Sequence, residues 1–175
     1  IAIITTIASP VVQSYEWIVA GIAIGGIIGA VTARKIQMTA LPQLVAAFHS
    51  LVGLAAVLVA TGALLSPESY NIGSVGNISP GSLAEMSLGL AIGAITFSGS
   101  VIAFAKLQGL MTGNPLVFKG QHFLNALLGI AMVVLVIMFC LTEDYNLFFA
   151  LMAVSFVLGF LLILPIGGAD MPVVV

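Results

Sequence analysis

Charge is what this sequence has least of. Only 6% of its 175 residues are Asp, Glu, Lys or Arg, against about 25% in an ordinary soluble domain. With 61% hydrophobic residues, it has too few polar side chains to clothe a water-soluble globule. Cysteine is almost absent as well. Cys140 stands alone in an apolar run, which excludes a disulfide framework and a cysteine metal site. The four Lys and Arg form no basic patch, and the net charge of −2 is scattered over loops and helix ends, so nucleic acid is not an expected partner. The sequence also has no GxxxxGK(S/T), no strand-bound GxGxxG, no metal-ligand spacing, no nucleophile elbow and no paired catalytic carboxylates. No catalytic residue, metal site or bound cofactor is therefore expected in this chain.

What the sequence has instead is a series of long apolar runs. Several reach the roughly 17–25 residues that cross a bilayer as helix, and none alternates with the period of two that a membrane barrel needs. The expected fold class is all-α, a polytopic transmembrane helical bundle with five complete spans and partial helices at both ends. The spans are read at about 17–33, 42–65, 83–105, 122–141 and 147–164, all within a single transmembrane domain fragment over 1–175. The opening IAIITTIASP lacks an initiator Met and a basic n-region, so it does not read as a signal peptide. Both ends read as cut from a longer polypeptide, which makes five spans a lower bound. A short polar connection with Pro10 is expected over 9–16. Gly21, Gly25 and Gly29 recur every four residues in the first span, a small-residue face suited to close helix packing.

Arg34, Lys35, Lys106 and Lys119 all fall in connections on one side of the expected bilayer. Those on the other side carry Glu16, Glu68, Glu143 and Asp144. The basic side is then cytoplasmic, or faces the matrix in a mitochondrion.

Polar groups inside the spans are the candidates for function, because an ionisable side chain in hydrocarbon is costly unless it faces a partner or a water-filled path. His49 lies seven residues inside Pro42, Ser100 six before Lys106, and Asn125 six after Lys119. At about 1.5 Å of rise per residue, all three sit roughly 10 Å from the basic side. Thr96 and Ser98 are near the same level, but hydroxyls in membrane helices commonly bond a carbonyl of the preceding turn. Glu85 lies toward the acidic end of the same helix as Ser100, as an interfacial carboxylate or an entry point for protons. His122, beside Lys119, is expected to be solvated. Imidazole exchanges its proton near neutral pH, so His49 among hydroxyls and an amide is the minimum equipment of a proton path. On these residues alone, a secondary transporter or channel fragment with an intramembrane His site remains an alternative.

Three stretches carry a resemblance: MTALPQLVAAFHSLVGLAAVLV, ITFSGSVIAFAKLQGLMTGNPLVFKGQHFLNA and PIGGADMPVVV. In this order and spacing they closely resemble the membrane domain of the proton-translocating NAD(P)+ transhydrogenase, in its beta chain or the corresponding part of the fused animal enzyme. The resemblance covers nearly all of 17–175 and weakens in the loops 66–82 and 142–146. It implies hydride transfer between NAD(H) and NADP(H), each held by a separate soluble partner domain, coupled to proton passage through the membrane domain. It implies that His49 is the key intramembrane histidine, Ser100 a channel serine, and Asp170 a loop aspartate facing the NADP(H) domain. Glu85 and Asn125 match further polar positions. The expected partners are lipid, the remaining membrane helices and the two nucleotide-binding domains in a dimeric complex. The expected location is the bacterial plasma membrane or the mitochondrial inner membrane. No soluble nucleotide-binding domain lies in these 175 residues, so alone they are not expected to be catalytic.

Overall fold

The computed structural model describes residues 2–8, 12 and 14–174; Pro10 and its connection lie largely outside the described residues. The chain divides into two units, Ile1–Leu41 and Pro42–Val175. The first holds α1 (Ala2–Ile7), α2 (Glu16–Lys35) and a 3-10 turn, Met38–Ala40. Glu16 in the first turn of α2 and Arg34 and Lys35 in the last complement the helix dipole at both ends.

The second unit is built on α3 (Leu41–Leu65), α4 (Pro80–Leu107), α5 (Gln121–Thr142) and α6 (Tyr145–Ile163), followed by the short α7 (Met171–Val174). Each long helix starts where local chemistry directs it. Pro42 sits in the first turn of α3, where its missing N–H costs nothing. The α4 helix begins at Pro80, three residues before the expected start, because the Ser79 hydroxyl accepts from the Ser82 N–H and caps it. Asp144 caps α6 by accepting from the Asn146 N–H at 2.8 Å, so α6 also starts earlier than expected. Glu143 ends α5 in the left-handed region, with φ of 51°.

The loop between α3 and α4 is more ordered than its Ser, Gly and Asn content suggests. A 3-10 turn, Pro67–Tyr70, leads into an antiparallel pair, β1 (Gly73–Ser74) and β2 (Asn77–Ile78). The hairpin packs Ile72 and the buried Ile78 onto the acidic end of the core, beside Phe139 and Phe148. Glu143 ties it down by accepting from the Ile78 N–H at 3.1 Å.

Among the described residues, five helices are long and apolar enough to cross a membrane: α2, Met38–Leu65, α4, α5 and α6. Large apolar side chains such as Leu51, Leu58, Phe123, Val133 and Leu141 point outward. Water would penalise such a surface, and lipid does not. Within the second unit, α4 is the most enclosed helix, with Leu90, Ala94, Ser87 and Ser98 fully buried.

Candidate functional site

Two glycines set the spacing of α3 and α4. A Cβ at Gly53 would lie 2.6 Å from the Phe97 backbone nitrogen and 2.7 Å from the Gly93 carbonyl oxygen. One at Gly93 would lie 2.8 Å from the Ala56 Cβ. Only hydrogen fits at these positions, so the two backbones touch. The α4–α6 contact is made in the same way. A Cβ at Gly159 would collide with the Ser98 hydroxyl and lie 2.6 Å from the Ile95 carbonyl oxygen, and one at Gly99 would meet Ile163 at 3.0 Å.

Beside these contacts, on the basic side of the Gly53–Gly93 crossing, α3, α4 and α6 line a cavity of about 230 Å³. His49 from α3, Thr96 and Ser100 from α4, and Gly159, Leu162 and Ile163 from α6 line it, with Ile95, Gly99 and Ala103 completing the wall. His49 is exposed toward this space. Among the described residues no protein group bonds its ring or the hydroxyls of Thr96 and Ser100, which leaves their donors and acceptors turned to the cavity. Ser98, by contrast, spends its hydroxyl on the Ala94 carbonyl at 2.9 Å, and Ser50 on the Ala47 carbonyl at 2.7 Å.

On the other side of the Gly53–Gly93 crossing, the same α3–α4 seam opens again as a wider and mainly apolar groove of about 520 Å³. Tyr70, Ser82 and Glu85 are its polar lining, beside Val52, Ala56, Val59 and Gly89. The seam therefore has an hourglass form, with Glu85 in one half, His49 and Ser100 in the other, and a backbone contact at the waist. Glu85 and Ser100 are fifteen residues apart on α4, about 22 Å along its axis.

Asn125 is not part of the cavity wall. It lies half-buried on α5, with its Oδ1 enclosed and without a partner among the described residues. The depth counted along the sequence did not bring it into the same cavity wall. His122 is exposed at the start of α5, and Asp170 is exposed just before α7.

The polar groups that sequence reasoning missed are at the basic ends of the helices. Lys106, expected in the connection after the 83–105 span, belongs to the last turn of α4 and is 4% exposed. Its ammonium donates to the carbonyls of Leu164 at 2.6 Å and Ile166 at 2.7 Å, at the end of α6. There the unpaired carbonyls and the dipole favour a cation. Gln121 donates to the Leu161 carbonyl at 3.1 Å. Gln43 donates to that of Leu107 at 3.1 Å and accepts from Gln108 at 2.9 Å. The signal available beforehand was position: Lys106 and Gln108 lie at the C-terminal end of α4, and Gln43 and Gln121 in the first turns of α3 and α5, at the side of the bundle where α4 and α6 end and leave carbonyls that need donors.

Long apolar helices, three of which line a cavity that holds His49, Thr96 and Ser100, define an integral membrane protein of the helical-bundle class. A sequence model of the NAD(P) transhydrogenase beta subunit matches residues 1–175, and the chain belongs to that family. Two relatives from Rhodospirillum rubrum, one from a named strain, are each described as NAD(P) transhydrogenase subunit beta. Each is 70% identical over all 175 residues, which are 38% of the relative's length. The chain thus spans well under half of these relatives.

Proposed function

We propose that this chain is part of the proton-conducting membrane domain of a transhydrogenase, with His49 as the group that takes up and releases the proton. The observation that carries the reading is the cavity that His49 shares with Thr96 and Ser100 in an otherwise apolar set of helices. Imidazole exchanges protons near neutral pH, and a cavity of this size admits the few waters needed to relay a proton. Family membership favours this over the secondary-transporter alternative.

The overall reaction moves a hydride from NADH to NADP+, giving NAD+ and NADPH in partner domains, while a proton crosses the membrane from the acidic-loop side. Glu85 gathers protons at the mouth of the acidic-side groove. The Gly53–Gly93 waist keeps that groove apart from the His49 cavity, so passage requires the α3–α4 seam to open. His49 then holds the proton in reach of Ser100 and Thr96. Asn125, outside the wall of the His49 cavity, takes no part in this step, and Asp170 presents its carboxylate to the NADP(H)-binding domain. The complex resides in a bacterial plasma membrane or a mitochondrial inner membrane and is dimeric.

The test is His49→Ala in the full-length complex reconstituted into vesicles. Proton-coupled hydride transfer should fall by about 10²-fold or more, the lower range for loss of a positioned acid–base group. Coupled rates near wild type would refute the role. Asp170→Asn should change NADP(H) affinity and leave NAD(H) affinity alone, and unchanged NADP(H) titrations would remove Asp170 from the coupling.

A further inference from the structure

The four residues between Ile166 and Met171 contain Asp170, and both ends of this segment are held by the helices that form the His49 cavity. At one end, Lys106 grips the Leu164 and Ile166 carbonyls at 2.6 and 2.7 Å. Lys106 lies one turn beyond Ala103, which lines the cavity. At the other end, Met171 is fully buried and packs in one cluster with Ala46 and Ala103. Ala46 is three residues before His49, and Ala103 three after Ser100. The middle is braced by the Gly168 N–H, which donates to the Gly113 carbonyl at 2.8 Å.

A segment this short, tied at both ends, has little slack. Displacement of α4 against α3 at the cavity carries Lys106 and Ala103 with it, and through them Ile166 and Met171. We infer that Lys106 is a positioning residue, which with the Met171 anchor makes the Asp170 segment follow the walls of the His49 cavity. The α6 helix closes at Ile163 with Leu164 as its cap, so in binding the Ile166 carbonyl Lys106 holds the chain that leads to Asp170 as well as the helix end. The inference rests on the reading of Asp170 given above and adds the part that moves it.

The test is a double-mutant cycle in the full-length complex in vesicles, with NADP(H) and NAD(H) dissociation constants as the readouts. Lys106→Met removes both donors at nearly constant length. It should change the NADP(H) constant by about fivefold or more and the NAD(H) constant by less than about twofold, the scale of a coupling between sites. Combined with Asp170→Asn, it should add nothing beyond the larger single effect, since both break one link. If Asp170→Asn acts but the two effects multiply, the reading of Asp170 stands and the Lys106 inference is overturned. If Asp170→Asn leaves NADP(H) binding unchanged, both fall. Should Lys106→Met fail to assemble, Met171→Ala replaces it in the cycle, with the volume-conserving Met171→Leu as its control. Non-additivity for Met171→Ala and wild-type behaviour for Met171→Leu support the link, and multiplying effects overturn it.

Discussion

Gly53→Ala tests the hourglass at its waist. The added methyl would stand 2.6 Å from the Phe97 nitrogen and 2.7 Å from the Gly93 oxygen, both backbone atoms that no rotamer change can move. Bringing the nearer contact to an ordinary 3.4 Å requires α3 and α4 to separate locally by about 0.8 Å. Overpacking of this kind costs about 1–3 kcal/mol, offset by up to about 1 kcal/mol from the better helix propensity of alanine. The loss in thermal stability is therefore modest. The larger effect falls on function, because His49 is one helical turn from Gly53. A misplacement near 1 Å can cost on the order of 10²-fold in rate. Proton translocation by vesicles containing the full complex should drop by about 10-fold or more while the protein still assembles. Gly129→Ala on α5, where a Cβ meets no atom within 4 Å, is the matched control; it should leave transport unchanged and raise stability by up to about 1 kcal/mol through helix propensity alone. Wild-type translocation and melting in Gly53→Ala would refute the claim that this backbone contact shapes the His49 cavity.

Other substitutions separate structural from functional polar groups. Ser98→Ala removes a hydroxyl bonded within its own helix. It should shift melting by less than about 1 kcal/mol and leave proton translocation intact, whereas Ser100→Ala at the cavity should slow translocation in the same vesicle assay. Gln121→Leu keeps the volume but leaves the Leu161 carbonyl without its donor. It should lower stability by about 1–3 kcal/mol in detergent-solubilised thermal denaturation.

Much of this fold was legible in advance because a bilayer imposes a simple rule: apolar length decides what spans. The five long helices follow the expected spans, and the shifts at their starts come from caps such as Ser79 and Asp144, each one residue outside the helix it caps. His49 and Ser100 were visible as polar residues in apolar runs. Their meeting in one cavity was not, since it depends on the touching backbones at Gly53 and Gly93, which lie in different helices. The misreading of Lys106 has the same origin. A charge at the end of an apolar run looks interfacial, and the carbonyls it binds lie 58 and 60 residues later in the chain.

Asn125 marks the boundary between the two kinds of knowledge. Counting residues gives height along a helix, because every residue adds the same rise. It does not give the direction a side chain faces, because each residue also turns by about 100° and the partner helix is unknown. The sequence by itself therefore determined that this protein is a set of membrane-crossing helices, and it led to the expectation of His49, Ser100 and Asn125 at one depth. Only the tertiary structure, through glycine contacts where no side chain fits, decided that His49 and Ser100 share a cavity while Asn125 faces elsewhere.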